Sequence, residues 1–159
     1  MYITNKDIII RLVLAFILGG IIGFERQSRG KSAGVKTHIL VTLGACLVTL
    51  NGVYIGIQTG SDPGRLSAQV ITGIGFLGSG LILKDSDSIR GLTSASSIWL
   101  VGCIGIAVGS GFILGACVTS AMVIILLLFT RTPLYRKFFE ENFCSQKEKL
   151  DDDTENFTD

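Results

Sequence analysis

The densest chemistry of the chain lies between Phe24 and His38. There F-E-R-Q-S-R-G-K-S-A-G-V-K-T-H sets one carboxylate, Glu25, among Arg26, Arg29, Lys31 and Lys36 and ends on the only histidine. A carboxylate beside guanidinium groups forms strong charge-assisted hydrogen bonds, and an imidazole is the side chain that titrates nearest neutrality. Three roles fit such a set: binding an anionic group, seating an acidic segment of another protein, or forming an internal ion-pair network that holds helices together. The spacing leaves all three open. Lys84, Asp85, Arg90 and Thr93 make a second polar group further along.

The elements that must position these residues are membrane helices. Hydrophobic residues make up 48% of the 159, Pro occurs twice, and mean hydropathy is +0.55. That composition lies outside the soluble globular range. Crossing ~30 Å of hydrocarbon takes about 20 apolar residues in a helix, and five segments approach this: 8–24, 38–57, 66–83, 93–108 and 112–130. Charge sorts by side. Arg26, Arg29, Lys31, Lys36, Lys84, Arg90, Arg131, Arg136, Lys137, Lys147 and Lys149 fall on one face, and Lys6, Arg11 and Arg65 on the other. The positive-inside rule then sets the N-terminus outside and the C-terminus in the cytoplasm.

The expected fold is therefore all-α, a polytopic bundle of five transmembrane helices in residues 1–132. The first apolar run lacks a basic n-region and a small-residue cleavage site, and is read as a retained span. Pro133 ends the fifth helix, and Leu134, Tyr135, Phe138, Phe139 and Phe143 recur beside Arg136 and Lys137 as in an interfacial amphipathic helix over 133–144. Residues 145–159, with Asp151, Asp152 and Asp153, read as a disordered acidic tail. The four cysteines show no ligand-like spacing and read as packing residues. This topology gathers Glu25, Arg26, Arg29, Lys36, Thr37, His38, Asp85, Arg90 and Thr93 into one cytoplasmic-side candidate cluster.

Small residues predict where helices touch, because membrane helices associate largely by close backbone approach. Ala15, Gly19 and Gly23 make one stripe, Gly102, Gly105 and Gly109 a second, and Gly111, Gly115 and Thr119 a third. At about 100° per residue, Gly73 and Gly80 oppose Gly75 and Gly78. The third helix is accordingly expected to be central and gripped from both sides. Asp62 suits its N-cap and Pro63 its first turn, ahead of Arg65. Asn51, Gln69 and Thr72 are expected at one depth in a hydrogen-bonded cluster, and Trp99 in the core. These glycines and polar residues are the candidate helix-packing or partner-contact set.

No nucleotide-binding, nucleophile-elbow or zinc-protease motif occurs, so neither an enzyme nor a cofactor is expected. No metal-ligand set is expected either. The carboxylates nearest the spans, Asp7, Glu25, Asp62, Asp85 and Asp87, all sit at or beyond helix ends, which disfavours cation transport without removing it as a rival. A net charge of +1 gives no reason to expect nucleic acid.

Three ordered blocks resemble the bacterial MgtC/SapB membrane proteins: G-F-E-R-Q-S-R-G-K-S-A-G-V-K-T-H from Gly23, D-P-G-R-L-S-A-Q-V-I-T-G-I-G-F-L-G-S-G from Asp62, and I-R-G-L-T-S-A-S-S-I-W from Ile89. The family's motif positions fall on Gly23, Glu25, Arg26, Arg29, Gly30, Gly34, Thr37 and His38. They continue on Asp62, Pro63, Arg65, Gln69, Gly73, Gly75, Phe76, Gly78 and Gly80, and then on Arg90, Gly91, Leu92, Thr93 and Trp99. The resemblance implies a five-helix protein of the bacterial inner membrane with no catalytic residue. It also implies links to magnesium limitation, acid stress and virulence and, in the best-known member, restraint of the F-type ATP synthase. Many relatives carry a soluble domain after the fifth helix, where 29 residues follow Thr130 here, and the third block reads S-A-S-S where relatives are often Thr-Ala-rich. The expectation is a non-catalytic regulator, surrounded by membrane lipid, that binds another membrane protein. A magnesium or other ion transporter or channel is the rival, and a homo-oligomeric scaffold a second alternative.

Overall fold

The computed structural model describes residues 4–86, 88–130 and 132. The expected interfacial helix over 133–144 and acidic tail over 145–159 lie outside them. Five helices run in order: α1 (Asn5–Ser28), α2 (Val35–Thr59), α3 (Gly64–Ser79), α4 (Leu92–Ser110) and α5 (Ile113–Phe129). A two-residue antiparallel pair, β1 (Leu83–Lys84) with β2 (Ile89–Arg90), links α3 to α4. Of the helices, α1, α2 and α4 are long and apolar enough to cross a membrane, while α5 is shorter and apolar. The chain divides into two compact units at Val123, the first being Met1–Val123.

Local chemistry explains the helix ends. Thr4 and Asp7 form a reciprocal capping box at the start of α1, the Thr4 amide donating to Asp7 Oδ2 at 3.0 Å and the Asp7 amide to Thr4 Oγ1 at 3.3 Å. At its other end the Gly30 amide reaches Gln27 O and the Lys31 amide reaches Arg26 O. This is a Schellman closure, and it needs the left-handed φ of 62° that Gly30 supplies. The start of α3 lies one residue later than expected: Pro63 holds the N-cap position and Gly64 opens the helix, while Asp62, just before the cap, accepts from the Gly64 amide through Oδ1 at 2.8 Å.

The helix α3 ends at Ser79, short of the expected stop at residue 83. Its last turns tighten, with Leu81 N donating to Gly78 O and Ile82 N to Ser79 O, and the chain then turns into the β1–β2 hairpin. Gly91 closes that hairpin at φ 89°, and a Cβ there would collide with the Leu81 carbonyl oxygen. Leu81 to Leu83 are apolar enough to prolong a helix, but the crossing of two backbones at Gly91 sends them elsewhere.

The most extensive contacts are α1 with α2 and α2 with α4, and α4 is the most enclosed of the three long apolar helices. Its Ile98, Val101, Ile104 and Val108 are buried, as are Ala15 and Ile22 of α1 and Ala45 and Cys46 of α2, and Ile98 clusters with Ala33, Ala45 and Ile74. The expectation of a central third helix is therefore corrected. Cβ atoms built on Gly73 and Gly75 meet nothing within 4 Å, and Phe76 is 80% exposed. By contrast a Cβ at Gly109 would sit 2.7 Å from Cys46 O, and one at Gly105 would collide with Thr42 O. Glycine density permits close approach; the glycines of α4 use it, and those of α3 largely do not.

Candidate functional site

The cluster forms where α1 meets α2. Close approach at Gly23, where a Cβ would lie 2.8 Å from Val35 Cα, presses the last turns of α1 on the first turn of α2. One helical turn beyond Gly23 on that face comes Arg26, of which 2% is exposed. Glu25 lies buried beside it. Its Oε2 is 3.0 Å from Arg26 Nε, and its Oε1 contacts Arg29 Nε across one turn. The Glu25–Arg26 pair is close without being aligned as a hydrogen bond, and among the described residues Arg26 Nη1 is buried with no hydrogen-bond partner. One carboxylate therefore serves two guanidinium groups, and a donor is left over.

His38 is fully buried on the adjoining face of α2. Its Nδ1 donates to Gly34 O at 2.8 Å, since a carbonyl can only accept, and Nε2 lies 3.2 Å from Ser97 Oγ of α4. The Ser97 hydroxyl is also within 2.8 Å of Ser94 O, so one rotor stands between a helix carbonyl and the imidazole. The histidine thus ties α2 to α4 as the arginines tie the end of α1. Further along α2, the Thr42 hydroxyl donates to His38 O at 2.7 Å, and Thr49 Oγ1 meets Ser67 Oγ of α3 at 3.0 Å.

The rest of the expected cluster lies apart from this buried core. Arg90 and Asp85 pair across the hairpin at 3.7 Å, both largely exposed, and Lys36, Thr37 and Thr93 are exposed. The Asn51, Gln69 and Thr72 cluster does not form. All three side chains are exposed, and the Thr72 hydroxyl donates to Ala68 O of its own helix. The cross-link between α2 and α3 is the Thr49–Ser67 pair instead, because those two lie on the facing surfaces.

At the opposite end of α2 and α3 a cavity of about 430 Å³ is lined by Gly52, Ile55, Ser61, Asp62, Arg65, Leu66, Ala68 and Gln69. A second hollow of about 320 Å³ runs between α3 and α4, lined by Gly75, Gly78, Ser79, Ile82, Ala95, Ser96 and Trp99. Trp99 is 45% exposed there, which corrects its expected place in the core. Gly19 packs on Thr42 and His38 O, and Gly80 caps the end of α3. Among the described residues no group of three or more His, Cys, Asp or Glu side chains is placed to hold a metal ion.

Sequence reasoning missed two residues. Ser97, half of the histidine tie, hid among several serines of one helix. Arg11 was read only as a charge near a helix end. Its Nη1 donates to Gly109 O at 2.8 Å and so satisfies a terminal carbonyl of α4. A cation inside an apolar run of spanning length was the available signal.

The MgtC family model matches residues 12–136. The Escherichia coli K12 protein named "Putative magnesium transporter YhiD" is 45% identical over 113 residues, covering 67% of this chain and 53% of its own. An uncharacterized protein of Haemophilus influenzae Rd is 41% identical over 123 residues, 72% of this chain and 52% of its own. Protein MgtC of Brucella abortus strain 2308 is 42% identical over 111 residues, 69% of this chain and 45% of its own. The chain spans about half the length of these curated relatives. No solved structure matches.

Proposed function

Because the chain belongs to the MgtC family, we propose that this membrane protein is a non-catalytic regulator that acts by binding another membrane protein. In this reading all five helices span the bacterial inner membrane, with the N-terminus outside and the C-terminus in the cytoplasm. Lipid-facing helix surfaces make the contact, and the polar groups at the cytoplasmic end set specificity. The partner implied by the family resemblance is the F-type ATP synthase, in cells meeting magnesium limitation, acid stress or a host.

The observation that carries the reading is the hollow between α3 and α4. Gly75, Gly78, Ala95 and Ser96 keep its floor low, and Trp99 stands at its side. Small residues that leave a groove open on a membrane helix pair are the surface on which a further helix packs closely. Among the described residues Gly75 has no neighbour within 4 Å of a built Cβ, so Gly75→Leu places its side chain at the hollow with room at its first carbon. Capture of the ATP synthase from native bacterial membranes by the purified, tagged full chain should fall about tenfold in Gly75→Leu. Equal capture by both proteins would refute the groove as the contact.

A second reading, magnesium transport, is favoured by the printed name of the Escherichia coli relative. Purified protein in liposomes separates the two. Magnesium entry through this chain alone supports transport, and its absence from folded protein supports the regulator.

A further inference from the structure

We propose that the end of the bundle where α1 turns into α2 binds the phosphate of an anionic membrane lipid. The first support is charge. Arg26, Arg29, Lys31 and Lys36 surround a single carboxylate, Glu25, and both its oxygens already contact guanidinium groups. Lys31 and Lys36 are exposed and form the rim.

The second support is the donor left over. Arg26 is 2% exposed, yet among the described residues its Nη1 has no hydrogen-bond partner. A buried guanidinium without a full complement of acceptors leaves net positive charge in a low-dielectric setting, which draws an anion to the nearest accessible point. That point is the N-terminus of α2. Its N-cap, Gly34, offers no side-chain acceptor. The Val35 amide is met by Gln27 Oε1 at 3.2 Å, and the next amides project from the positive end of the helix dipole. Arg26, ion-paired with Glu25 but with Nη1 unpartnered among the described residues, follows Gly23 by one turn on the α1 face that packs against this turn.

The third support is the setting. Basic groups at helix ends on the membrane surface hold lipid head groups, and Lys31 and Lys36 are exposed at this helix end. The inference rests on placement in a membrane and is independent of the proposed protein partner, which a lipid measurement does not involve.

The test is lipid retention by the purified, delipidated full chain, read by native mass spectrometry with phosphatidylglycerol, phosphatidylcholine or inorganic phosphate added. Phosphatidylglycerol should be retained about tenfold over phosphatidylcholine, and Lys31→Gln with Lys36→Gln, both at exposed positions, should remove most of that preference. Arg26→Gln should lower it too; if that variant does not fold, the lysine pair decides. Equal retention of the two lipids, or a preference untouched in the lysine variant, overturns the proposal. Displacement of phosphatidylglycerol by inorganic phosphate at equal concentration assigns the site to free phosphate and overturns the lipid source.

Discussion

The two ends of α2 handle charge in opposite ways. At its N-terminal end Glu25, Arg26 and His38 are buried; the ion pairs lie within the last turn of α1, and the His38–Ser97 contact joins α2 to α4. At its C-terminal end Asp62, Arg65 and Gln69 stand exposed around a cavity of about 430 Å³. The difference separates charge that is buried among packed helices from charge that stands wholly at the surface. A buried pair costs much when broken, because the surviving partner is stranded in low dielectric. An exposed charge costs little to remove.

Arg26→Ala should show this most strongly, destabilising the protein by about 3 to 5 kcal/mol. Arg65→Ala at the open end should stay within about 0.5 kcal/mol. Thermal unfolding of both variants in one detergent measures the contrast, and similar losses would abolish the distinction between the ends. Glycine contacts sharpen it along the helices. Gly105→Ala drives a methyl into Thr42 O and should cost about 1 to 3 kcal/mol by overpacking. Gly73→Ala enters open space and should be neutral or slightly stabilising by the same assay. The smallest effect is expected from Thr49→Val, which removes the hydroxyl pair with Ser67 and should cost only about 0.6 kcal/mol, the usual scale for such bonds in membrane helices. A loss several times larger would mean that α3 is held chiefly by that pair.

Much of this arrangement is legible in the sequence. Apolar run lengths located five helices within a few residues, since burying backbone in a helix satisfies its own hydrogen bonds. The F-E-R-Q-S-R segment announced a charged helix end, and Asp62-Pro63 a helix start. Other features were not legible. Leu81 to Leu83 read as the continuation of α3, because nothing local shows that Gly91 must pass against Leu81 O. Trp99 read as core, since hydrophobicity does not say which side of a helix faces its neighbours. Asn51, Gln69 and Thr72 matched in depth but not in rotation about their helices, and rotation chose Thr49 and Ser67.

By itself the sequence determined the five helices of the described residues to within a few positions and which segment concentrates charge. These follow from local rules, namely hydrogen bonding within a helix, capping, and the cost of charge in hydrocarbon. Tertiary structure alone decided which helix is enclosed, which glycines are used, and that Glu25 and Arg26 are buried while Asp85 and Arg90 are exposed. Those outcomes depend on how each helix is turned about its axis, and only the packing of all the faces together sets that rotation.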